Sequence, residues 1–433
     1  MEKEVRIFKK DNKIYRKVKD IEEMEKLIDV FRVCEFFPDK IVDTKVFDRG
    51  ENLLESDFIP VMIHSGEFTT SMAFDLVEQA IDMTLKLVSN GVYPFDLVPH
   101  NFTYSGANWI FYDFDSFSLT PKLLKAQIRS LFKVPFCSFE LLRLIKRKDL
   151  QHYFLNRVSH SDIAKMLPFK NFMLWSINLA FCLFLHKFGL NKLAIKCLQN
   201  QFKKYKKLIY SGATSFSILE KDNITCNIVD KVLAENDVKS VFAITEKSAQ
   251  WSVLSTSNAR KFVYLDDYNV CDDFYKYINK NSCKTISTAV IYPFMQEREI
   301  SKNTAYRGIY DYFAKERFNS DAVVVMDTKE LYPNNDFDIE SFCKNIVEFS
   351  TNIYLQCFDK VDEKKLADEI CVEMKKYYNE VGFVETDEKL VLFAKGKKVP
   401  LPDFSKFPPY NNSNRAAEAK RQSKAIIDLI KNV

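Results

Sequence analysis

Glycine is scarce in this chain, 9 residues in 433 against 38 phenylalanines. The turn at 8–13, FKKDNK, has none, and neither has the run 245–250, TEKSAQ. Backbone that must come close to a phosphate or a cofactor is normally glycine, because a Cβ blocks the approach. Paired cysteines are also missing. Ten cysteines are scattered with no CxxC and no zinc-type spacing, which fits buried, reduced thiols in a cytosolic protein and excludes a disulfide scaffold. The opening residues, Met-Glu-Lys-Glu, are charged and carry no apolar signal core. The longest apolar run, 172–185, is 14 residues with Asn178 inside it. That falls short of the ~20 residues a bilayer requires, so a buried helix is expected there and no transmembrane segment. A net charge of +4 gives no argument for a nucleic-acid partner. Three histidines, His152, His160 and His186, lie in helical stretches without an obvious partner and read as ordinary surface or core residues.

What is present is enough for two or three domains with a large core, since 47% of residues are hydrophobic and 28% charged. The densest chemistry lies at 93–117, YPFDLVPHNFTYSGANWIFYDFDSF. Asp96 and Asn101 are five residues apart. A turn, Ser105-Gly106-Ala107-Asn108, leads into the apolar strand 109–112, which ends on Asp113-Phe114-Asp115. Read bare, these side chains cap turns of a hairpin. The pattern also resembles the catalytic segment of protein-kinase-like phosphotransferases, of the aminoglycoside-phosphotransferase type: a loop Asp, an Asn five residues on, and a metal-binding Asp after the next hairpin. The resemblance implies that Asp96 is the catalytic base and that Asn101 and Asp113 are Mg²⁺ ligands beside ATP. Pro94-Phe95-Asp96 stands where protein kinases have His-Arg-Asp, and Asp115 where they have Gly.

The flanking sequence extends the resemblance. Residues 5–19 read as strand, Asp-Asn turn, strand, the opening of a small N-lobe. Lys17, or Arg16 if the strand has the opposite phase, would meet the nucleotide phosphates. Residues 20–31 have helical spacing with Asp20 as N-cap and Glu23 completing a capping box. Glu22, Glu23 or Glu25 is the helix partner of the strand cation. Two further strands at 41–47 and 52–59 lead to a hinge, where Asp57 to Ile59 would read an adenine edge. Residues 70–89 form an amphipathic helix stopped by Gly91. Residues 121–205 are helical and increasingly basic, a reduced C-lobe. The cluster Lys203, Lys204, Lys206 and Lys207 reads as a solvated helix end, with an anionic glycan or membrane surface as the alternative.

A linker is expected at 211–215, SGATS. Beyond it strands alternate with helices: strands at 239–245, 261–265 and 322–326, a mostly apolar run at 285–291, helices at 228–235, 271–279, 337–347 and 364–381, and a closing antiparallel pair at 383–394. Such alternation implies a parallel, doubly wound sheet. KSVFAIT, FVYLDD, ERFNSDAVVVMD and KNIVEF resemble segments of class I S-adenosylmethionine-dependent methyltransferases, as found behind kinase-like segments in bacterial surface-polysaccharide and nodulation-type proteins. The resemblance implies that Asp266 or Asp267 binds the cofactor ribose. The turn after the first strand departs from the family: it has no glycine, and Glu246 falls near the expected methionine carboxylate. S-adenosylmethionine is therefore not expected as a cofactor. Pro/Asn-rich 400–414 and a basic helix at 415–433 end the chain, the helix a surface for a protein partner.

The fold expected is thus two-domain α/β: a kinase-like α+β domain over 1–210 (N-lobe 1–60, helical C-lobe 61–210), a Rossmann-like doubly wound domain over 222–398, and a tail from 399. The expected function is an atypical ATP- and Mg²⁺-dependent phosphotransferase acting on a sugar or glycan hydroxyl, in the cytoplasm or peripheral to a membrane. A methyltransferase carrying a relic kinase-like segment, and a non-catalytic scaffold of two inactive folds, are the alternatives.

Overall fold

The computed structural model describes residues 7–10, 13–57, 69–98, 101–106, 108–113, 116–132, 169–209, 213–218, 223–265, 267–290, 320–327 and 338–398. They form two compact units, a first drawn from residues 1–212 and a second built on 213–433. The expected C-terminal helix and Pro/Asn-rich segment lie outside the described residues, as do His152 and His160.

In the first unit, β1 (Ile7–Lys10), β2 (Lys13–Lys17), β3 (Thr44–Asp48) and β4 (Leu53–Asp57) make an antiparallel sheet in the order β1-β2-β4-β3. Helix α1 (Ile21–Cys34) connects β2 to β3. Asp20 caps its start as the sequence predicts, accepting Glu23 N–H on Oδ1 at 2.8 Å, but the expected capping box is shifted: Glu23 Oε2 accepts from Lys19 N–H at 2.7 Å and not from Asp20 N–H. Met24 and Leu27 of α1 bury against Val18 and Leu54. The long helix α2 (Thr70–Ser89) is capped by Thr69, and its apolar face, from Met72 to Val88, is buried.

After α2 come the short strands β5 (Tyr93–Pro94), β6 (Phe102–Ser105), β7 (Asn108–Phe111) and β8 (Phe117–Ser118). Phe111 is stitched to the segment before β3 by two backbone bonds, Val42 N–H to Phe111 O at 2.9 Å and Phe111 N–H to Lys40 O at 2.8 Å. Helices α3 (Leu124–Phe132), α4 (Phe169–Lys187) and α5 (Asn191–Ile209) complete the unit. Lys206 of α5 bonds Asp75 at 2.9 Å and Glu78 at 2.7 Å on α2. His186 bonds Asn191 at 2.7 Å, an ordinary structural role. Among the described residues, no helix is long and apolar enough to cross a membrane.

The second unit is a seven-stranded sheet. In chain order it contains α6 (Asn223–Glu235), β9 (Ser240–Ile244), α7 (Glu246–Leu254), β10 (Arg260–Leu265), α8 (Tyr268–Lys280), β11 (Ile286–Val290), β12 (Ser320–Val325), α9 (Ile339–Ile346), β13 (Ser350–Asp359), α10 (Lys364–Met374), β14 (Tyr378–Glu385) and β15 (Lys389–Lys397). The strand order is β11-β10-β9-β12-β13-β15-β14. The first five are parallel, and β15 runs antiparallel to both of its neighbours.

This is an α/β fold with a Rossmann-type, largely parallel sheet. The central strands are near-continuous apolar runs because helices cover both faces of a parallel sheet. Phe242 sits between Tyr264 and Phe349, with ring centroids 4.7 and 4.6 Å away. The helix expected over 364–381 stops at Met374, and the chain from Tyr378 is strand β14. Pairing with β15 along Tyr378 to Glu385 outweighs the helical spacing of that stretch. The eight described cysteines that resolve as free thiols form no disulfide.

Candidate functional site

In an open α/β sheet, ligands bind beyond the carboxyl ends of the strands, where the strand order reverses. Here that point lies between β9 and β12. The chain leaving β9 turns at Thr245, whose backbone has φ 99° and ψ 155°. That conformation is close to the region open essentially to glycine alone, and a β-branched residue held there is strained. Its surroundings hold it. Ser248 N–H donates to Thr245 Oγ1 at 3.2 Å, and the two hydroxyls lie 2.9 Å apart. Ser248 Oγ donates to Ile244 O at 2.6 Å and accepts from Met326 N–H at 3.0 Å. One buried serine hydroxyl thus ties the end of β9 to the end of β12 across the switch point. The run 245–250, read in the sequence only as a turn lacking glycine, keeps the bent backbone without the residue that normally permits it.

Beside this turn is a cleft of about 100 Å³. Lys247, Gln250 and Trp251 of α7 line it together with Met326, Asp327 and Cys357 from the ends of β12 and β13. Thr225 and Cys226 of α6, and Asp359, Glu363 and Lys389, close it. Lys247 is paired with Asp327 at 2.7 Å, and Lys389 lies 3.6 Å from Asp359. Backbone N–H groups of Asp362 and Val361 donate to Asp359 and, with Lys389, hold its carboxyl below the usual carboxylate range. Trp251 is 1% exposed, and its indole N–H has no hydrogen-bond partner among the described residues. A buried donor left unpaired is costly. Lys247, Trp251 and Asp327 were not singled out by the sequence. The one available signal was Asp327 at the end of the apolar run 322–326.

Asp267, expected at a cofactor ribose, is exposed and caps α8: its Oδ1 accepts Asn269 N–H at 2.7 Å and Val270 N–H at 2.9 Å. Its second oxygen takes part in neither bond. Asp266 lies outside the described residues.

The first-unit residues come together as couples. Asn101 is buried, and its side-chain amide donates to Asp96 twice, to the backbone oxygen at 2.9 Å and to Oδ2 at 3.1 Å. Buried Gln127 clamps the same loop, accepting Leu97 N–H at 2.7 Å and donating to Leu97 O at 3.1 Å. Asp113 lies with Oδ1 3.7 Å from the Arg16 guanidinium, while Ser116 Oγ donates to Oδ2 at 3.2 Å. Of the two basic candidates on β2, Arg16 is the one paired with Asp113. Asp57 is exposed and bonded to Lys13. Ile59 lies outside the described residues. Among the described residues, no group of three or more His, Cys, Asp or Glu is arranged to hold a metal ion.

No protein-family model matches the chain, and no curated protein sequence matches it. Among solved structures the chain is similar to a SAM-dependent methyltransferase from Aquifex aeolicus, at 13% identity and TM-score 0.27, covering 40% of this chain and 98% of that one. It is similar to M. capricolum TrmK in complex with S-adenosylhomocysteine, at 13% identity and TM-score 0.27, covering 49% and 100%. A third is an rRNA methylase from Escherichia coli, at 10% identity and TM-score 0.29, covering 63% and 95%.

These findings correct the cofactor expectation, which took ATP and Mg²⁺ and set S-adenosylmethionine aside. The solved structures are of methyltransferases, TrmK with S-adenosylhomocysteine bound. In the molecule itself, Asp113, the expected metal ligand, already faces a guanidinium and a serine hydroxyl. None of these compared structures is of a kinase-like protein.

Proposed function

We propose that the second unit is a methyltransferase domain that takes S-adenosylmethionine at the carboxyl edge of its sheet. The observation that carries the reading is the strand order β11-β10-β9-β12-β13-β15-β14, with the Thr245 turn bent to φ 99° at its switch point. The residues present fit such a cofactor. The turn has a glycine-like backbone shape despite its side chains, an acid stands just past the end of β10, and the adjoining cleft is lined by Lys247, Trp251 and Asp327. On this reading the backbone of 245–247 and Asp267, or its neighbour Asp266, hold the cofactor. Bound there, S-adenosylmethionine supplies an electrophilic methyl group for transfer to a nucleophile. Asp327, joined to Lys247, is the carboxylate assigned to accept a hydrogen bond from the acceptor's hydroxyl or amine.

Isothermal titration of the full chain with S-adenosylmethionine and with S-adenosylhomocysteine tests the reading. Binding of either with a Kd of about 1 mM or tighter, about −4 kcal/mol, is the expected result. Absence of heat and of any thermal shift with both would leave the reading without support.

For the first unit, one observation favours a relic kinase-like segment over an unrelated α+β module. The sheet runs β1-β2-β4-β3 with α1 inserted after β2, and a basic residue of β2 faces the aspartate that follows hairpin β6–β7. Its former catalytic positions are now bonded to one another and serve stability.

A further inference from the structure

Helix α4 and the start of α5 expose an apolar stripe unusual for a soluble surface. Met173, Ile177, Phe181, Phe184 and Phe188 follow at intervals of four, four, three and four residues, the spacing of one helical face. They are between 44% and 63% exposed, and Leu174, Leu190 and Leu193 widen the patch. Eight large side chains, each of ~200 Å² and about half exposed, leave on the order of 800 Å² of apolar surface. A typical monomer's largest patch is ~300–600 Å², and larger ones mark interaction sites.

The charge around this stripe has one sign. Between Ile163 and Leu219 the chain has nine lysines and no Asp or Glu. On α5, Lys192, Lys196, Lys203 and Lys207 are exposed and recur at intervals of four, seven and four, again one face. Lys206 points elsewhere, into Asp75 and Glu78 of α2. The exposed lysines are therefore a set apart from the one that packs the unit. At the hairpin tip, exposed Lys187 and Lys192 flank Phe188 and Leu190.

We propose that the α4–α5 hairpin docks on the surface of an anionic phospholipid bilayer, with α4 lying in the plane of the interface. A bilayer of that kind offers anionic headgroups over an acyl layer, so it matches both the lysines and the Phe, Leu, Ile and Met stripe. A second copy of the chain would bring this lysine-rich face against its own image, because a two-fold contact pairs a patch with itself. A nucleic acid would neutralise the lysines and leave the apolar stripe wet. Among the described residues no helix is long and apolar enough to cross a membrane, so the contact proposed is with the surface of the bilayer.

The test is cosedimentation of the full chain with phosphatidylcholine vesicles, with and without about 30 mol% phosphatidylserine, at about 0.15 M salt. Binding is expected only with the anionic lipid, and Phe181→Ser/Phe184→Ser should weaken it about tenfold or more. Lys192→Glu/Lys196→Glu/Lys203→Glu should abolish the preference for phosphatidylserine. All five positions are exposed, so both variants should keep the wild-type circular dichroism and Tm. Wild-type failure to bind anionic vesicles overturns the proposal. So does binding that both variants retain. A dimer in size-exclusion chromatography that Phe181→Ser/Phe184→Ser dissociates would assign the face to a second copy instead.

Discussion

Thr245 carries the sharpest conflict between local preference and position. A residue at φ 99° and ψ 155° costs about 1–3 kcal/mol when it has a Cβ. Its hydroxyl caps α7 through Ser248 N–H, which is worth about 1 kcal/mol. The two effects can be separated by substitution. Thr245→Ala keeps the strain and loses the cap, so it should lower stability by about 1 kcal/mol. Thr245→Gly loses the cap but releases the strain, so it should be neutral or stabilising by up to about 2 kcal/mol. Urea unfolding of the two variants beside wild type measures this. A glycine variant less stable than the alanine variant would mean the turn is not strained. Asp113, expected as a metal ligand, stands 3.7 Å from the Arg16 guanidinium. Its pairing with Arg16 is half exposed, and such pairs contribute about 0–1 kcal/mol. Asp113→Asn should therefore shift stability by no more than that and leave S-adenosylmethionine binding unchanged. Loss of that binding in Asp113→Asn would contradict the relic reading of the first unit.

At the scale of elements, the end of β15 shows how a strand carries an electrostatic cost. The Lys397 ammonium donates to the backbone oxygens of Val347 and Ser350, the latter at 2.8 Å, and is drawn into the unit as β15 pairs with its neighbours. Burial lowers its pKa from 10.5 to about 8, with Glu348 opposing the shift. Below pH 8 the folded chain carries this partly desolvated charge. Between about 8 and 10.5 the unfolded chain keeps the proton that the folded chain has lost, so this group makes stability rise with pH across that window. Lys261 on β10 is lowered for the same reason, burial, with the same sign. Lys397→Met removes the first contribution. Its Tm should rise less than that of wild type between pH 8 and 10 in differential scanning calorimetry. Identical slopes would place Lys397 in solvent.

At the scale of the whole molecule, the central expectation is that S-adenosylmethionine, and not ATP with Mg²⁺, binds the full chain; a titration with each decides it. Among the described residues, most element types and their order were legible from the residues themselves, although the helix Glu246–Leu254 was read only as a turn. Apolar runs such as 322–326 mark strands buried on both faces, and the capping pair Asp20 and Glu23 marks a helix start. These signals are local, because a cap or a two-residue alternation needs only neighbours in the chain. The end of α10 was misjudged since its stop depends on β14 finding β15, a partner outside the window. The candidate sites were less legible, and for the same reason. Asp96, Asn101 and Asp113 have the spacing of a metal site, but spacing does not reveal that Asn101 spends its amide on Asp96 or that Arg16 stands against Asp113. Conversely, nothing in TEKSAQ indicates that its first residue adopts a glycine conformation, or that Ser248 reaches Met326 on a strand 78 residues away. The sequence alone determined where most strands and helices lie, since turn, cap and periodicity are local signals. Only the tertiary structure decided which polar groups are partnered and by what, since hydrogen bonds and ion pairs are made between residues that folding, not sequence distance, brings together.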